Sequence, residues 1–201
     1  IEGGEIKPTI GGGVSQVATT LFNAAYFGGL ELISHTPHSF YFTRYPPGRE
    51  ATLSWRTPDL VFRNNWDASV LISVVTSRNA LTVRLYSSTL GRRVEATTGP
   101  RSNIVTTKKV ERLNSDLEPG TKKVIQGEGS PGFAISHRRK VFKSDELISD
   151  RTFYWTYQPE NAIIELGPTL PDQTTTTGTT STTTTTSTGT APSDTDTTET
   201  P

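Results

Sequence analysis

Apolar residues recur at three- and four-residue spacing in one clear stretch: Val14, Val17, Ala18, Leu21 and Ala25, with Gln16, Thr19, Thr20 and Asn23 largely on the other side. That period predicts an amphipathic helix over residues 15–27. Ser15 stands where a favourable N-cap belongs, and Gly28 and Gly29 supply a stop, because glycine accepts positive φ just past a last turn. Ahead of the helix, residues 1–13 (IEGGEIKPTIGGG) read as a short strand ending in a glycine turn. Beyond it the period shortens. LELIS, SFYFTRY, ATLSW, LVFRN, SVLISVVTS and ALTVRLYS are β-branched and aromatic-rich and are broken by Pro, Gly, Asn or Asp, so each predicts a short strand.

SVLISVVTSRNALTVRLYS predicts a hairpin with Arg78–Asn79 near its turn. Residues 95–127 are polar and weakly patterned and read as a long connection. GFAISHRRKVFKSDELISDRTFYWTYQPENAIIELGP then alternates again, with a second hairpin expected to turn near Ser144–Asp145. The fold class these elements predict is α+β: one prominent helix packed on short antiparallel strands, followed by a small β module. From about Pro171 the chain becomes a Thr/Ser/Gly tract with no apolar residue larger than alanine. Such a tract buries too little surface to offset its chain entropy, so a disordered segment is expected there. With its Pro it suits an O-glycosylated surface stalk, or an ordinary flexible linker.

Charge and cysteine narrow the chemistry. Lys+Arg and Asp+Glu both number 20, so nothing favours nucleic acid, which normally draws a basic excess. Cysteine is absent, which excludes disulfides, thiolate catalysis and Cys-based metal sites. Three histidines without repeated spacing make a poor zinc site, and neither metal nor cofactor is expected. No apolar run reaches the ~18–20 residues of a membrane-spanning helix. A chain that begins with Ile and holds no Met reads as a processed product or fragment, with any membrane attachment carried by segments outside it.

The candidate chemistry gathers at the start of the helix. In GGGVSQ, three glycines lead into the helical N-terminus, where backbone N–H groups favour a negative charge or a developing oxyanion. Ser15 is placed as a nucleophile and His38 as its general base, with Asp59 to orient the imidazole. Gly12, Gly13 and Gln16 would surround the oxyanion, Arg49 would hold a carboxylate by two prongs, and Ser39 joins the substrate-binding set. A duller reading serves every one of these residues. Ser15 caps the helix, His38 packs in a turn after Pro37, and Arg49 pairs with Glu31 or Glu50. His35 reads as a turn residue, and His137, in HRRK, as part of a solvated strand edge. GEGSPG (127–132) lacks the lysine and helix of a phosphate loop, and Trp55, Trp66 and Trp155 read as core, with sugar stacking as the alternative.

Three segments carry a family resemblance: GGGVSQVATTLFNAAYFGGLEL, HTPHSFYFTRYPPGREATLSW and DLVFRNNWDASVLI. Together, over residues 3–75, they resemble the VanW-like domain of bacterial cell-envelope proteins, whose pattern runs GGGxCQxxTTLxNAxxxxGLE, HPHS, PPGxDA, DLxFxNxxxxPILI. VFKSDELISDRTFYWTYQPENAIIELGP is similar, more loosely, to a G5-type β module ending in YxPxxxIIxxG. The domains so expected are a VanW-like domain over 1–94 truncated at its N-terminus, a connection over 95–127, a G5-like module over 128–168 and the stalk over 169–201.

The resemblance implies an extracytoplasmic, cell-wall-associated protein related to vancomycin-resistance functions, with peptidoglycan stem peptides or glycan as its partner. Some members are similar in activity to L,D-transpeptidases, which form a thioester on the motif cysteine. That cysteine aligns with Ser15, and a hydroxyl is far less ionised than a thiol, so it needs a positioned base. Two functions stay open: a peptidoglycan binder, or an acyl-transfer enzyme acting through Ser15. In either case, exposed Lys and Arg of HRRK offer a contact for anionic wall polymers.

Overall fold

The computed structural model describes residues 13–169, which lie in one compact unit. The expected strand over 1–13, apart from Gly13, and the stalk, apart from Thr169, fall outside the described residues. Helix α1 spans Val14–Phe27. Gly13, at φ 94°, turns the chain into it, and the Gly13 carbonyl accepts from the N–H groups of Gln16 (3.0 Å) and Val17 (3.1 Å). At the other end Gly28 N donates to Ala24 O (2.8 Å), and Gly29 adopts φ 75°, the positive value expected of a glycine stop.

The buried face of α1 is Ala18, Thr19, Phe22, Ala25 and Tyr26, whereas Val14 and Val17 are exposed. The stripe is thus rotated from the one expected. Phe22 and Tyr26 are the largest side chains on the helix interior, and burying two rings removes more apolar area than burying two valines.

Strand β1 (Glu31–Ser34) pairs antiparallel with β2 (Val61–Arg63). Between them SFYFTRY and ATLSW form no strand, contrary to expectation. Turns closed by Tyr45 N to Phe42 O and Arg49 N to Pro46 O (3.0 Å each) take their place. Four prolines in this stretch (37, 46, 47 and 58) lack the N–H that a ladder requires. Strands β3 (Leu71–Thr76) and β4 (Leu81–Tyr86) form the expected hairpin, closed by Ser77 N to Ala80 O at 2.8 Å around Arg78–Asn79. Leu85 of β4 packs against the core that α1 covers.

The stretch expected as a connection is mostly strand. It holds the last four residues of β5 (Arg92–Thr98), then β6 (Ser102–Val105), β7 (Lys109–Leu113) and β8 (Lys122–Gln126). These strands are largely exposed, so their polar residues carry little hydrophobic alternation to read. Long strands β9 (Gly132–Lys143) and β10 (Glu146–Tyr157) form the second hairpin, turning at Ser144–Asp145 as expected. β9 is central: β10 and β5 flank it, and β6 pairs with it as well. A separate sheet runs β7-β11-β8, with β11 (Ala162–Leu166) parallel to β7 and antiparallel to β8. The architecture is therefore one helix among mostly antiparallel strands.

Candidate functional site

Three histidines, His35 and His38 from one segment and His137 from about a hundred residues later, converge on the PPGRE turn. Gly48 holds φ 72°, and a Cβ there would lie 3.2 Å from both His137 Cδ2 and Ile135 Cγ2, so glycine is demanded by conformation and by space. His137 Nε2 donates to the Gly48 carbonyl at 3.1 Å, which leaves Nδ1 to accept from the Tyr26 hydroxyl, also at 3.1 Å. Phe153 of β10 stacks on the His137 ring with centroids 4.9 Å apart, and His35 stacks on Phe22 at 4.2 Å. Burial pushes both imidazoles down to about 4, only partly opposed by hydrogen bonding to Gly48.

His137 is 2% exposed, so its expected place on a solvated edge is wrong. β9 lies mid-sheet and aims His137 and Arg139 inward. Arg139 donates to the carbonyls of Tyr26 (2.8 Å) and Leu30 (2.9 Å) at the end of α1. Arg138 points outward and pairs with Asp150 at 2.5 Å. His35 likewise packs among aromatic rings, not in an open turn.

The next residue but one in the turn is Glu50, a fully buried carboxylate. Its Oε2 meets His38 Nδ1 at 2.5 Å, and its Oε1 accepts from the Tyr157 hydroxyl, which itself accepts from Gly48 N at 2.7 Å. Tyr45 stacks on the His38 ring (5.4 Å between centroids) and Phe42 meets it edge-on (5.1 Å). Trp155 Nε1 donates to the His38 carbonyl at 2.8 Å. The His38 side chain remains 10% exposed, and among the described residues nothing hydrogen-bonds its Nε2.

Ser15 is half-buried in the first turn of α1, as its second residue. It is not the N-cap: Gly13 occupies that position and no side chain caps the helix. Ser15 lies one turn before Thr19, hence on the same helix face. The Thr19 hydroxyl accepts from Ala51 N at 3.1 Å, and Thr52 N donates to Thr36 O at 2.8 Å. The strip carrying Glu50 therefore runs between the helix and the strip carrying His38. Among the described residues no hydrogen bond joins Ser15 to His38.

The other nominated residues are dispersed. Gly13 and Gln16 line an open cleft of about 290 Å³ with Val17 and the β3–β4 turn, and the Gln16 N–H is already taken by Gly13 O. Arg49 pairs with neither Glu31 nor Glu50. Its guanidinium lies over Phe27 (5.1 Å) and Tyr26 (5.8 Å), and its buried Nε has no partner. Glu31 instead faces Arg63 at 3.4 Å. Asp59 accepts from Leu60 N at 2.8 Å in its own exposed turn, and the carboxylate on His38 is that of Glu50. The Ser39 carbonyl accepts from Gln158 N at 2.8 Å. Gly12 lies outside the described residues. Trp66 and Trp155 donate to backbone carbonyls and pack inward, whereas Trp55 is 90% exposed.

Sequence reading thus missed Glu50, Tyr157 and the burial of His137. The signal for His137 was present: Phe133, Ile135, His137, Arg139 and Val141 share one parity of a two-residue period. Nothing local marked Glu50 or Tyr157, whose meeting spans 107 residues.

The residues that converge on this turn come from two of the three motif segments, the helix and the stretch from His35 to Ala51. Residues 1–86 match the family described as VanW like protein. That stretch is similar to the family. The uncharacterized protein YoaR of Bacillus subtilis (strain 168) is 39% identical over 85 residues, which is 42% of this chain and 28% of YoaR. This chain therefore spans less than a third of that relative. Among solved structures, the IgA1 protease G5 domain is 22% identical, with a TM-score of 0.24, covering 39% of this chain and 89% of that one. The HP0197-G5 crystal structure is 17% identical, with a TM-score of 0.20, covering 38% and 95%. Likeness at that level decides neither fold nor function. No helix among the described residues is long and apolar enough to cross a membrane.

Proposed function

We propose that this chain works outside the cytoplasm, in the bacterial cell wall, as a VanW-like protein that binds peptidoglycan through its stem peptides or glycan. The observation that carries the reading is the meeting of separated VanW-like motifs: His38 from HTPHSF, Gly48 and Glu50 from PPGRE, and, through Thr19 and Ala51, the helix that begins at GGGVSQ. Peptide stems present amide N–H groups and carboxylates, and glycan presents hydroxyls. An imidazole nitrogen with a free lone pair accepts from the N–H and O–H donors, while backbone N–H groups at a helix start suit a carboxylate. Formal net charge of zero leaves nucleic acid without an electrostatic case. Co-sedimentation of the whole chain with purified, insoluble peptidoglycan tests this. Retention in the pellet is expected, and at least tenfold weaker retention for His38→Ala. A native chain that stays in the supernatant overturns it.

The carboxylate–imidazole pair also favours a second reading, acyl transfer at Ser15. Here Ser15 Oγ attacks a stem-peptide carbonyl and gives its proton to His38 Nε2, and the departing amine takes that proton as the C–N bond breaks. An acceptor amine then attacks the ester, its proton returning through His38 to Ser15. A stem-peptide donor and a labelled amine, given to native protein, Ser15→Ala and Ser15→Cys, separate the readings. Exchange in Ser15→Cys alone leaves the native chain a binder, whereas a covalent adduct mass on Ser15 makes it an enzyme.

A further inference from the structure

Around Glu50 the hydrogen bonds run in one consistent direction. A backbone N–H can only donate, so the Gly48 amide takes a lone pair of the Tyr157 hydroxyl at 2.7 Å. That hydroxyl has one proton, and it turns to Glu50 Oε1. A carboxylate can only accept, so Oε2 receives the proton of His38 Nδ1 at 2.5 Å. The Tyr157 phenol keeps its proton for this task, because burial first and the Glu50 carboxylate second raise its pKa above the ordinary value. His137, by contrast, donates from Nε2 to the Gly48 carbonyl. With Glu50 ionised and both rings neutral, these directions require opposite tautomers in the two histidines on this turn.

We propose that Glu50 and Tyr157 are positioning residues that hold the neutral His38 ring as its Nδ1–H tautomer, leaving Nε2 as the accepting atom of the site. Tyr157 belongs to β10, beyond the VanW-like residues 1–86, so the C-terminal sheet completes a site whose motifs all lie in the N-terminal half. An accepting Nε2 selects ligand groups that donate: the amide N–H of a peptide stem, a sugar hydroxyl or the Ser15 hydroxyl. The assignment rests on the proposed role of His38 in the site, but the tautomer itself is a property of the free protein.

Long-range proton–nitrogen NMR on the full chain labelled with ¹⁵N-histidine reads the tautomers directly. At a pH high enough for both rings to be neutral, His38 is expected with a protonated Nδ1 and a bare Nε2, and His137 with the reverse. Glu50→Gln then makes a sharper demand. Tyr157 still donates to the amide oxygen, so the amide NH₂ faces His38 Nδ1 and must donate, switching His38 to the Nε2–H form while His137 keeps its own. In Glu50→Gln combined with Tyr157→Phe the amide is free to turn, and His38 is expected as a mixture. An unchanged His137 signature reports that each variant is folded. The proposal is overturned if native His38 carries its proton on Nε2, a result that needs no variant, or if folded Glu50→Gln leaves Nδ1 protonated. Peptidoglycan sedimentation of the same native sample is scored separately. Its failure beside the expected tautomer removes the binding reading and leaves the positioning intact.

Discussion

His137 Nε2 donates to the carbonyl of Gly48 across 89 residues of sequence, and this bond joins the central strand of the large sheet to the PPGRE turn. The same ring accepts from Tyr26 on α1, so one buried imidazole ties together helix, turn and sheet. His137→Ala orphans the Gly48 carbonyl and the Tyr26 hydroxyl and leaves a void beneath Phe153. The expected loss is about 2–4 kcal/mol from unmade hydrogen bonds and cavity together, read from urea midpoints. A midpoint within experimental error of native overturns this account of the junction.

Stability should fall on mild acidification. His35 and His137 are both lowered to about 4 by burial, against 6.5 for the free side chain. The unfolded chain therefore takes up protons first as pH drops, and stability is lost progressively from about 6.5 down towards 4. Above 6.5 the contribution is complete, because both states are neutral. Arg151 near His35 and Arg49 near His137 push in the same direction. Urea midpoints at about pH 7.5, 6, 5 and 4.5 should decline in that order, and the decline should become shallower in His137→Gln. A flat series denies that the two rings are buried and neutral.

Gly48 is expected to be intolerant of alanine. Its φ of 72° strains any L side chain, and a Cβ would press His137 and Ile135 at 3.2 Å. A cost of about 1–3 kcal/mol follows from the backbone conformation alone. Gly127→Ala is the matched control: no atom lies within 4 Å of its Cβ position, and stability should change by less than about 0.5 kcal/mol. Equal thermal shifts in the two variants would remove the steric argument.

What could be read from the chain beforehand was whatever is local. Helix α1 and the turns at Arg78–Asn79 and Ser144–Asp145 followed from period and turn chemistry within a dozen residues. The helix face did not, because the choice between Val14 and Val17 on one side and Phe22 and Tyr26 on the other is made by β10, which brings Phe153 to within 6.3 Å of the Tyr26 ring centroid. Strands β7 and β8 escaped notice because exposed ladders of Lys, Glu and Arg are held by backbone pairing and cross-strand charge, which leave no apolar signature. At the site, His38 was found through its motif, but its carboxylate was sought at Asp59. Glu50 is nearer in sequence and also fully buried, and only the folded turn reveals that its charge has two donors.

Ser15 offers a clean separation of structural from functional roles. Replacing a true N-cap serine with alanine costs about 1 kcal/mol, because an orphan N–H of the first turn loses its partner. Gly13 holds the cap position in this helix, no side chain caps it, and Gln16 and Val17 already bond to the Gly13 carbonyl. Ser15→Ala is therefore expected to leave the melting midpoint essentially unchanged, within about 0.5 kcal/mol, and slightly favoured by the higher helix propensity of alanine. A loss near 1 kcal/mol would return Ser15 to capping and weaken every chemical role drawn for it. An unchanged melt combined with altered peptidoglycan retention or amine exchange would place its contribution in the site, one helical turn from the Thr19–Ala51 hydrogen bond that leads to Glu50.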